Sequence, residues 1–292
     1  MEEKMSAIDN YRLEWSVCRI CGRHDRNKMY MAKEMMYGTK EEFEYFICDS
    51  CKCMQIANVP GDLGKYYSDN YYSFGENEIP EFEGMGNVES RVLDVGCGSG
   101  RWLIERAKMG YGNLYGCDPF IENDVRYGER IFIKKCEISE MEGEFDLIRF
   151  GDSFEHIANP LETLENVKKR LSKDGKCQIH IPVFPNAAWE TFGVNWYQLD
   201  APRHIFLHSK ESMGYLCERC DLKIKHIEYN ADKWQFIISY LYEEGINLKA
   251  IERGEGAGFY ANEETFEYFS KMAEECNKKG YGDHAVFDIV HA

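Results

Sequence analysis

Positive charge is what this chain has least of: 35 Lys and Arg stand against 51 Asp and Glu in 292 residues, a formal net charge of −16. A surface built to run along a phosphate backbone needs a stripe of lysine and arginine, so this balance disfavours RNA or DNA as a partner, a local basic patch aside. Long apolar runs are missing as well. Met1-EEKMSAIDN carries no apolar leader segment, and the longest apolar run, Trp234-QFIISYLY, falls far short of the ~20 residues that cross a bilayer. A soluble, cytoplasmic protein with no membrane partner is expected. The 12 cysteines do not form a secreted disulfide framework either, since Cys97, Cys117, Cys136 and Cys177 fall within expected core elements, where reduced thiols behave as small apolar side chains. A chain of this length can bury one large core with a small satellite.

What is present begins with Arg91-VLDVGCGSG-Arg101. Val92, Leu93 and Val95 suit a buried parallel strand, and Gly96, Gly98 and Gly100 let the backbone turn tightly beneath a ligand. Leu103, Ile104 and Ala107 then give one apolar helix face, which Gly110 is placed to stop. The dinucleotide pattern G-x-G-x-x-G fails, because its third glycine is Arg101. Asp118 ends Leu114-YGCD at the tip of the next expected strand, about two dozen residues after Asp94, where a carboxylate can accept from both hydroxyls of a ribose.

Cys18-RIC and Cys48-DSC are two CxxC pairs separated by 26 residues, the spacing of a four-thiolate zinc ribbon with ligands Cys18, Cys21, Cys48 and Cys51. Cys53 is the alternative to Cys51, and free thiols or a redox dithiol are the alternative to a metal. Four thiolates would close the coordination shell, so the zinc is structural. The intervening Met29–Ile47 stretch can form a hairpin. Cys217 and Cys220 make a third pair inside a capped helix, with no matching partner pair. From Met1 to Pro60 there are 9 Lys and Arg against 10 Asp and Glu, a near-neutral module without the charge footprint of a nucleic-acid reader.

The glycine loop preceded by Asp94 resembles motif I of the class I S-adenosylmethionine (SAM) methyltransferases. The resemblance continues through Asp118, through Phe145-DLIRFGDSFEH, and through Asn159-PLETLENVKKRLSKDG with Lys176-CQIHIP. It implies an α/β, Rossmann-like sheet of seven strands, mostly parallel with an antiparallel last strand, preceded by the small zinc ribbon. It further implies SAM as cofactor, with its methionine end on Asp94, Gly96, Cys97, Gly98 and Gly100, its ribose on Asp118 with Pro119, its adenine at Glu137 or Ile138, and its sulfonium side at Gly151. Trp196-YQLDAPRHIFLHS is similar to a segment of bacterial methyltransferases of surface-polysaccharide and nucleotide-sugar pathways. With the ribbon it resembles the sugar C-methyltransferases, whose additional C-terminal domain this chain departs from by ending near its seventh strand. That resemblance implies methyl transfer to a sugar or nucleotide-sugar acceptor at oxygen or carbon.

The expected organisation is a ribbon over 1–60, a tyrosine-rich connecting or lid segment over 61–86, and a methyltransferase domain over 87–292 with a helical insertion at about 231–280. Tyr66, Tyr67, Tyr71 and Tyr72 of the connector either glue the ribbon to the main domain or touch cofactor and acceptor, and Tyr72 is the candidate for the chemistry. His204 is the candidate general base, the alternative being a structural histidine beside Arg203. His156 orients its loop rather than doing the chemistry, while Arg203 and His208 are candidates to grip an acceptor phosphate or carboxylate. The insertion helices pack on the sheet edge or form a homodimer face. Two rival functions remain: an RNA or protein methyltransferase that reads its substrate with the ribbon, and a SAM-binding protein without turnover.

Overall fold

A computed structural model describes residue 8, residues 10–67 and residues 88–292. The chain divides into two compact units, one gathering 1–63, 182–215 and 228–286, the other 64–181, 216–227 and 287–292. Most of the tyrosine-rich segment, with Tyr71 and Tyr72, lies outside the described residues.

The first unit starts with β1 (Arg12–Val17), β2 (His24–Lys33), β3 (Glu42–Ile47) and β4 (Met54–Ile56), joined antiparallel in chain order. Strand β2 alternates in two halves: Asn27 and Met29 are buried between exposed Arg26 and Lys28, then the buried face switches so that Tyr30 and Ala32 are buried and Met31 and Lys33 exposed. The expected hairpin between the two cysteine pairs is β2–β3, with Tyr30 opposite Tyr45.

In the second unit the glycine-loop strand is β5 (Val88–Val95), followed by α1 (Arg101–Lys108), β6 (Tyr111–Cys117), β7 (Val125–Tyr127), β8 (Ile131–Lys134), β9 (Phe145–Gly151), α2 (Pro160–Arg170) and β10 (Leu171–Pro182). Val92, Leu114, Ile131 and Ile133 of the sheet bury against Leu103, Ile104 and Ala107 of α1. Each of these buried Val, Leu and Ile side chains contributes about 1.5–3 kcal/mol. Helix α1 ends where the backbone reaches Gly110 at φ 96, a left-handed stop that other residues adopt only with strain.

Beyond β10 come α3 (Ala187–Phe192) and the two-residue β11 (Phe206–Leu207), then α4 (Lys210–Arg219) and β12 (Leu222–Tyr229). Four helices precede the last strand: α5 (Trp234–Glu243), α6 (Leu248–Glu252), α7 (Ala257–Tyr260) and α8 (Glu263–Lys278), with β13 at His284–His291. Asn262 caps α8 by accepting from the Thr265 amide at 3.1 Å.

The strand order is β12-β13-β10-β9-β5-β6-β8-β7. Pairs β10–β9, β9–β5, β5–β6 and β6–β8 are parallel, which places the carboxyl ends of these strands, and the loops that follow them, at one edge. Among the described residues the expected count of seven is corrected to eight. Val125–Tyr127 folds back antiparallel on β8. It covers what would be an open strand edge, with Tyr127 buried and its hydroxyl donating to the Ser99 carbonyl at 3.0 Å. Strand β11 has no counterpart in the sequence-based expectation; it adds a fifth strand beside β4.

Among the described residues no helix is long and apolar enough to cross a membrane.

Candidate functional site

The carboxyl edge of the parallel sheet is built by the loops after β5, β6 and β9. Gly96, Gly98 and Gly100 have φ of 73, 51 and 82, all left-handed. At Gly96 a side chain is excluded twice over, by that φ and by Ser153, whose Cβ would lie 2.6 Å from a Cβ at 96. Ser153 holds this approach by donating to the Val95 carbonyl at 2.7 Å. Asp118, which is buried, closes the loop: its Oδ2 accepts the Gly98 amide at 2.9 Å and its Oδ1 the Phe120 amide at 2.9 Å. Each carboxylate oxygen keeps a further lone pair for a ligand hydroxyl. Pro119 is exposed, and so is the Phe120 ring beside it, at 81%.

Asp94 sits at the end of β5 in register with Arg149 of β9, so the two side chains share one face of the sheet. Arg149 Nη1 donates to Asp94 Oδ1 at 3.0 Å, and the pair is enclosed, with side-chain exposures of 15% and 3%. Burial raises the Asp94 carboxyl to about 6, although Arg149 pulls in the other direction. The guanidinium stacks over the Trp102 ring at 4.6 Å and fills the space where a Cβ on Gly151 would stand. A side chain at Gly151 would therefore displace the Arg149 guanidinium, a neighbour from its own strand. Cys97 lines the same turn with its Sγ packed toward Gly116, and burial pushes its thiol well above the usual range, which makes it an inert wall.

Glu137 is exposed and Ile138 buried, at the start of a short turn after β8 where the Glu137 amide donates to Glu140 Oε2 at 3.1 Å. After β9, His156 is largely buried, with Nδ1 3.1 Å from the Tyr67 hydroxyl. Of the connector tyrosines, Tyr67 therefore holds the histidine, and Tyr66 is buried. Sequence reasoning misses both Arg149 and Ser153. Arg149 has a signal, a cation in the middle of an otherwise apolar parallel strand; Ser153 lies in a loop and has none.

In the other unit, Cys18, Cys21, Cys48 and Cys51 converge, with their sulfurs all within 4.8 Å of one another and the Cys18–Cys51 and Cys21–Cys48 pairs at 3.6 Å. A tetrahedron of sulfurs ~2.3 Å from a central Zn²⁺ has edges of about 3.8 Å, so the group fits that ion. Each knuckle is closed by a backbone bond, Gly22 N–H to the Cys18 carbonyl and Lys52 N–H to the Cys48 carbonyl, both 2.9 Å. Cys53 is buried but outside this group, its Sγ donating instead to the Met54 carbonyl at 3.4 Å. Gln55 Nε2 donates to Cys18 Sγ at 3.1 Å, and Ser209 Oγ donates to the Cys51 carbonyl at 2.6 Å.

The segment 196–209 belongs to this unit. Arg203 is wholly buried, with Nε donating to Asp200 Oδ2 at 2.8 Å and Nη2 to Glu34 Oε1 at 3.2 Å. Glu34 in turn accepts the Tyr37 and Thr39 amides at 2.8 and 3.0 Å. Arg203 therefore staples the segment to the β2–β3 turn rather than offering a grip for an acceptor anion. His208 is fully buried and kept neutral, its pKa pushed down to about 3 by burial, so it grips no anion either. His204 is 5% exposed, and its Nδ1 lies 2.7 Å from the Gln198 carbonyl. A carbonyl only accepts, so Nδ1 carries the proton and Nε2 the lone pair in the neutral ring. The Tyr45 hydroxyl donates to the His204 carbonyl at 2.8 Å, which fixes the backbone beneath it.

Residues 69–227 match the family described as "Methyltransferase domain". A tRNA U34 carboxymethyltransferase of Campylobacter hominis is 28% identical over 97 residues, 30% of this chain and 34% of the relative. The chain thus aligns with about a third of that relative's length. Among solved structures, a mycolic acid cyclopropane synthase complexed with S-adenosylhomocysteine is similar at TM-score 0.45 and 15% identity, covering 69% of this chain and 78% of that one. An O-methyltransferase of a Brevibacillus brevis polyketide synthase, also with S-adenosylhomocysteine, is similar at TM-score 0.42 and 15% identity, covering 70% and 67%.

Proposed function

The chain belongs to the methyltransferase-domain family, and from that premise we propose that it is an enzyme that moves a methyl group from SAM to a small acceptor, a sugar or nucleotide-sugar. The observation that carries the cofactor reading is the closed loop: three left-handed glycines whose central amide is tied to Asp118. In this reading Asp94 and the backbone of 96–100 hold the aminoacyl end, Asp118 the ribose, and Glu137 or Ile138 the adenine, with the exposed Phe120 ring as its cover. The sugar class rests on the resemblance of 196–209, and the four thiolates hold a structural zinc.

Methyl transfer is an in-line displacement at a sulfonium carbon, so most of the rate comes from holding the acceptor atom behind the methyl group. A hydroxyl acceptor must also lose a proton. We assign that proton to His204 Nε2, whose lone pair is set by the Nδ1 contact with Gln198 and which lies 3.8 Å from Asp200 Oδ2. His156, tethered by Tyr67, orients the loop after β9.

One observation favours a second reading, an RNA acceptor. Along one face of β1 and β2 the exposed Leu13, Trp15 and Val17 stand directly opposite the exposed Lys28, Arg26 and His24, which sets the Trp15 ring, a surface on which a base can stack, beside the cations Lys28 and Arg26. The deciding experiment is S-adenosylhomocysteine release with a panel of nucleotide sugars, other glycan precursors and bulk RNA. Turnover on a sugar nucleotide, reduced roughly 10²–10⁴-fold by His204→Ala, is the expected result. Turnover on RNA alone replaces it with the second reading.

A further inference from the structure

Of the buried Asp94–Arg149 pair, the cofactor reading on which this inference rests leaves Arg149 without a purpose. Asp94 answers to a motif; Arg149 does not. A lone ion pair inside a protein gives back less than the desolvation of its two charges takes, so its retention in an apolar strand calls for a further partner. Three observations say what that partner is. Arg149 spends only Nη1 on Asp94. Its Nε is buried and has no hydrogen-bond partner among the described residues. And its guanidinium, clamped between the Trp102 ring and the bare Cα of Gly151, stands at the carboxyl end of β9, next to the end of β5 where the glycine loop begins.

We propose that Arg149 is the receptor for the carboxylate of the cofactor's aminoacyl end. That end of SAM is a zwitterion, and so is the Asp94–Arg149 pair. Set against each other they form a square of alternating charge, ammonium on Asp94 and carboxylate on the Arg149 guanidinium, in which each buried charge gains a second opposite neighbour. Of the charged groups assigned to the cofactor, Asp94 and Asp118 repel a carboxylate, and Arg149 alone attracts one. A planar guanidinium suits the task because it can serve two carboxylates along different edges at once, which an ammonium cannot do with the same geometry. Trp102 fixes its plane and Gly151 leaves it room, so the group is set before the ligand arrives.

The test compares two ligands on one protein: S-adenosylhomocysteine and its decarboxylated analogue, which keeps the adenosine, sulfur and amine. Titration calorimetry on wild type, Arg149→Gln, Arg149→Lys and Gly151→Ala gives four pairs of dissociation constants. Wild type is expected to prefer the carboxylate-bearing ligand by roughly 10- to 100-fold, the scale of one charge-assisted pair. Arg149→Gln should abolish that preference while binding the decarboxylated ligand within about threefold of wild type, and Arg149→Lys should restore part of it. Gly151→Ala, which displaces the guanidinium without removing it, should also lose the preference, so the conclusion does not depend on Arg149→Gln folding. Equal losses for both ligands would make Arg149 only a prop for Asp94 and overturn the proposal. A wild type that binds neither ligand would instead bring down the cofactor reading itself, and this inference with it.

Discussion

Asp283 is the residue whose charge state the fold strains most visibly within neutral pH. It is 2% exposed, and burial raises its carboxyl to about 7 although the Trp196 Nε1–H donates to Oδ2 at 2.8 Å. His284 lowers it further and Asp232 raises it. Since the folded value lies above the ordinary ~3.9 of an aspartate, the fold binds the proton more tightly than the unfolded chain does. That contribution is complete below about pH 4 and is lost as pH rises through about 7. Asp283→Asn keeps an oxygen for Trp196 and removes the titration. In thermal melts from pH 5 to 8 the wild type should lose several degrees relative to Asp283→Asn, the equivalent of about 1–3 kcal/mol. A constant gap across that range would show that Asp283 does not titrate there. The same scale shows where sequence reading stops. Asp94 and Asp118 are legible because their chemistry is tied to strand tips, and Arg149 is detectable as a charge in a buried strand. That Arg203 is consumed by Glu34, far away in the chain, follows only from the fold.

At the scale of elements, the parts with a strong local signal are legible: β5 and α1 around the glycine loop, the capped α8, and the hairpin between the two CxxC pairs. The parts that escape are those made by tertiary pairing. Strand β7 is three residues long and β11 two, too short for any period, and both exist because a neighbouring strand offers open hydrogen bonds. The short helices α6 and α7 within the helical insertion also escape, because they start from local turns: Asn247 accepts the Ala250 amide at 2.9 Å and Gly256 turns at φ 77. Knuckle spacing alone leaves Cys51 and Cys53 as competing ligands, and the structure separates them by direction rather than depth, since both are buried. Metal analysis resolves the matter. Cys53→Ser should retain about one zinc per chain, whereas Cys51→Ser should lose it or weaken it at least ~10- to 100-fold. Equal retention by both variants would mean that the ligand set is wrong.

At the scale of the whole molecule, each unit is stitched from three separate stretches of chain. The four-thiolate group is therefore not an appendage on an independent globule. Its second knuckle is bonded to Ser209, its sheet is extended by Phe206–Leu207, and the Met35 backbone carbonyl accepts the Leu248 amide at 2.9 Å, so 196–209 and the helical insertion share its unit. Side chains follow the same pattern, with Met35 packed among Ile237, Leu241, Tyr242 and Ile251. If the thiolates hold zinc, its binding energy stabilises all of these segments together, because an ion that binds the folded unit alone shifts the folding of everything cooperative with it. Hydrogen exchange before and after chelation measures how far that cooperativity reaches. Amides of β1–β4, of β11 and of α5 should all exchange faster by roughly tenfold or more once the metal is removed, while those of β5, β6 and β9 keep their protection. Faster exchange confined to residues 10–60 would instead make the ribbon a self-contained module. The position of His204 would then be independent of the metal, and chelation would leave turnover on the acceptor unchanged.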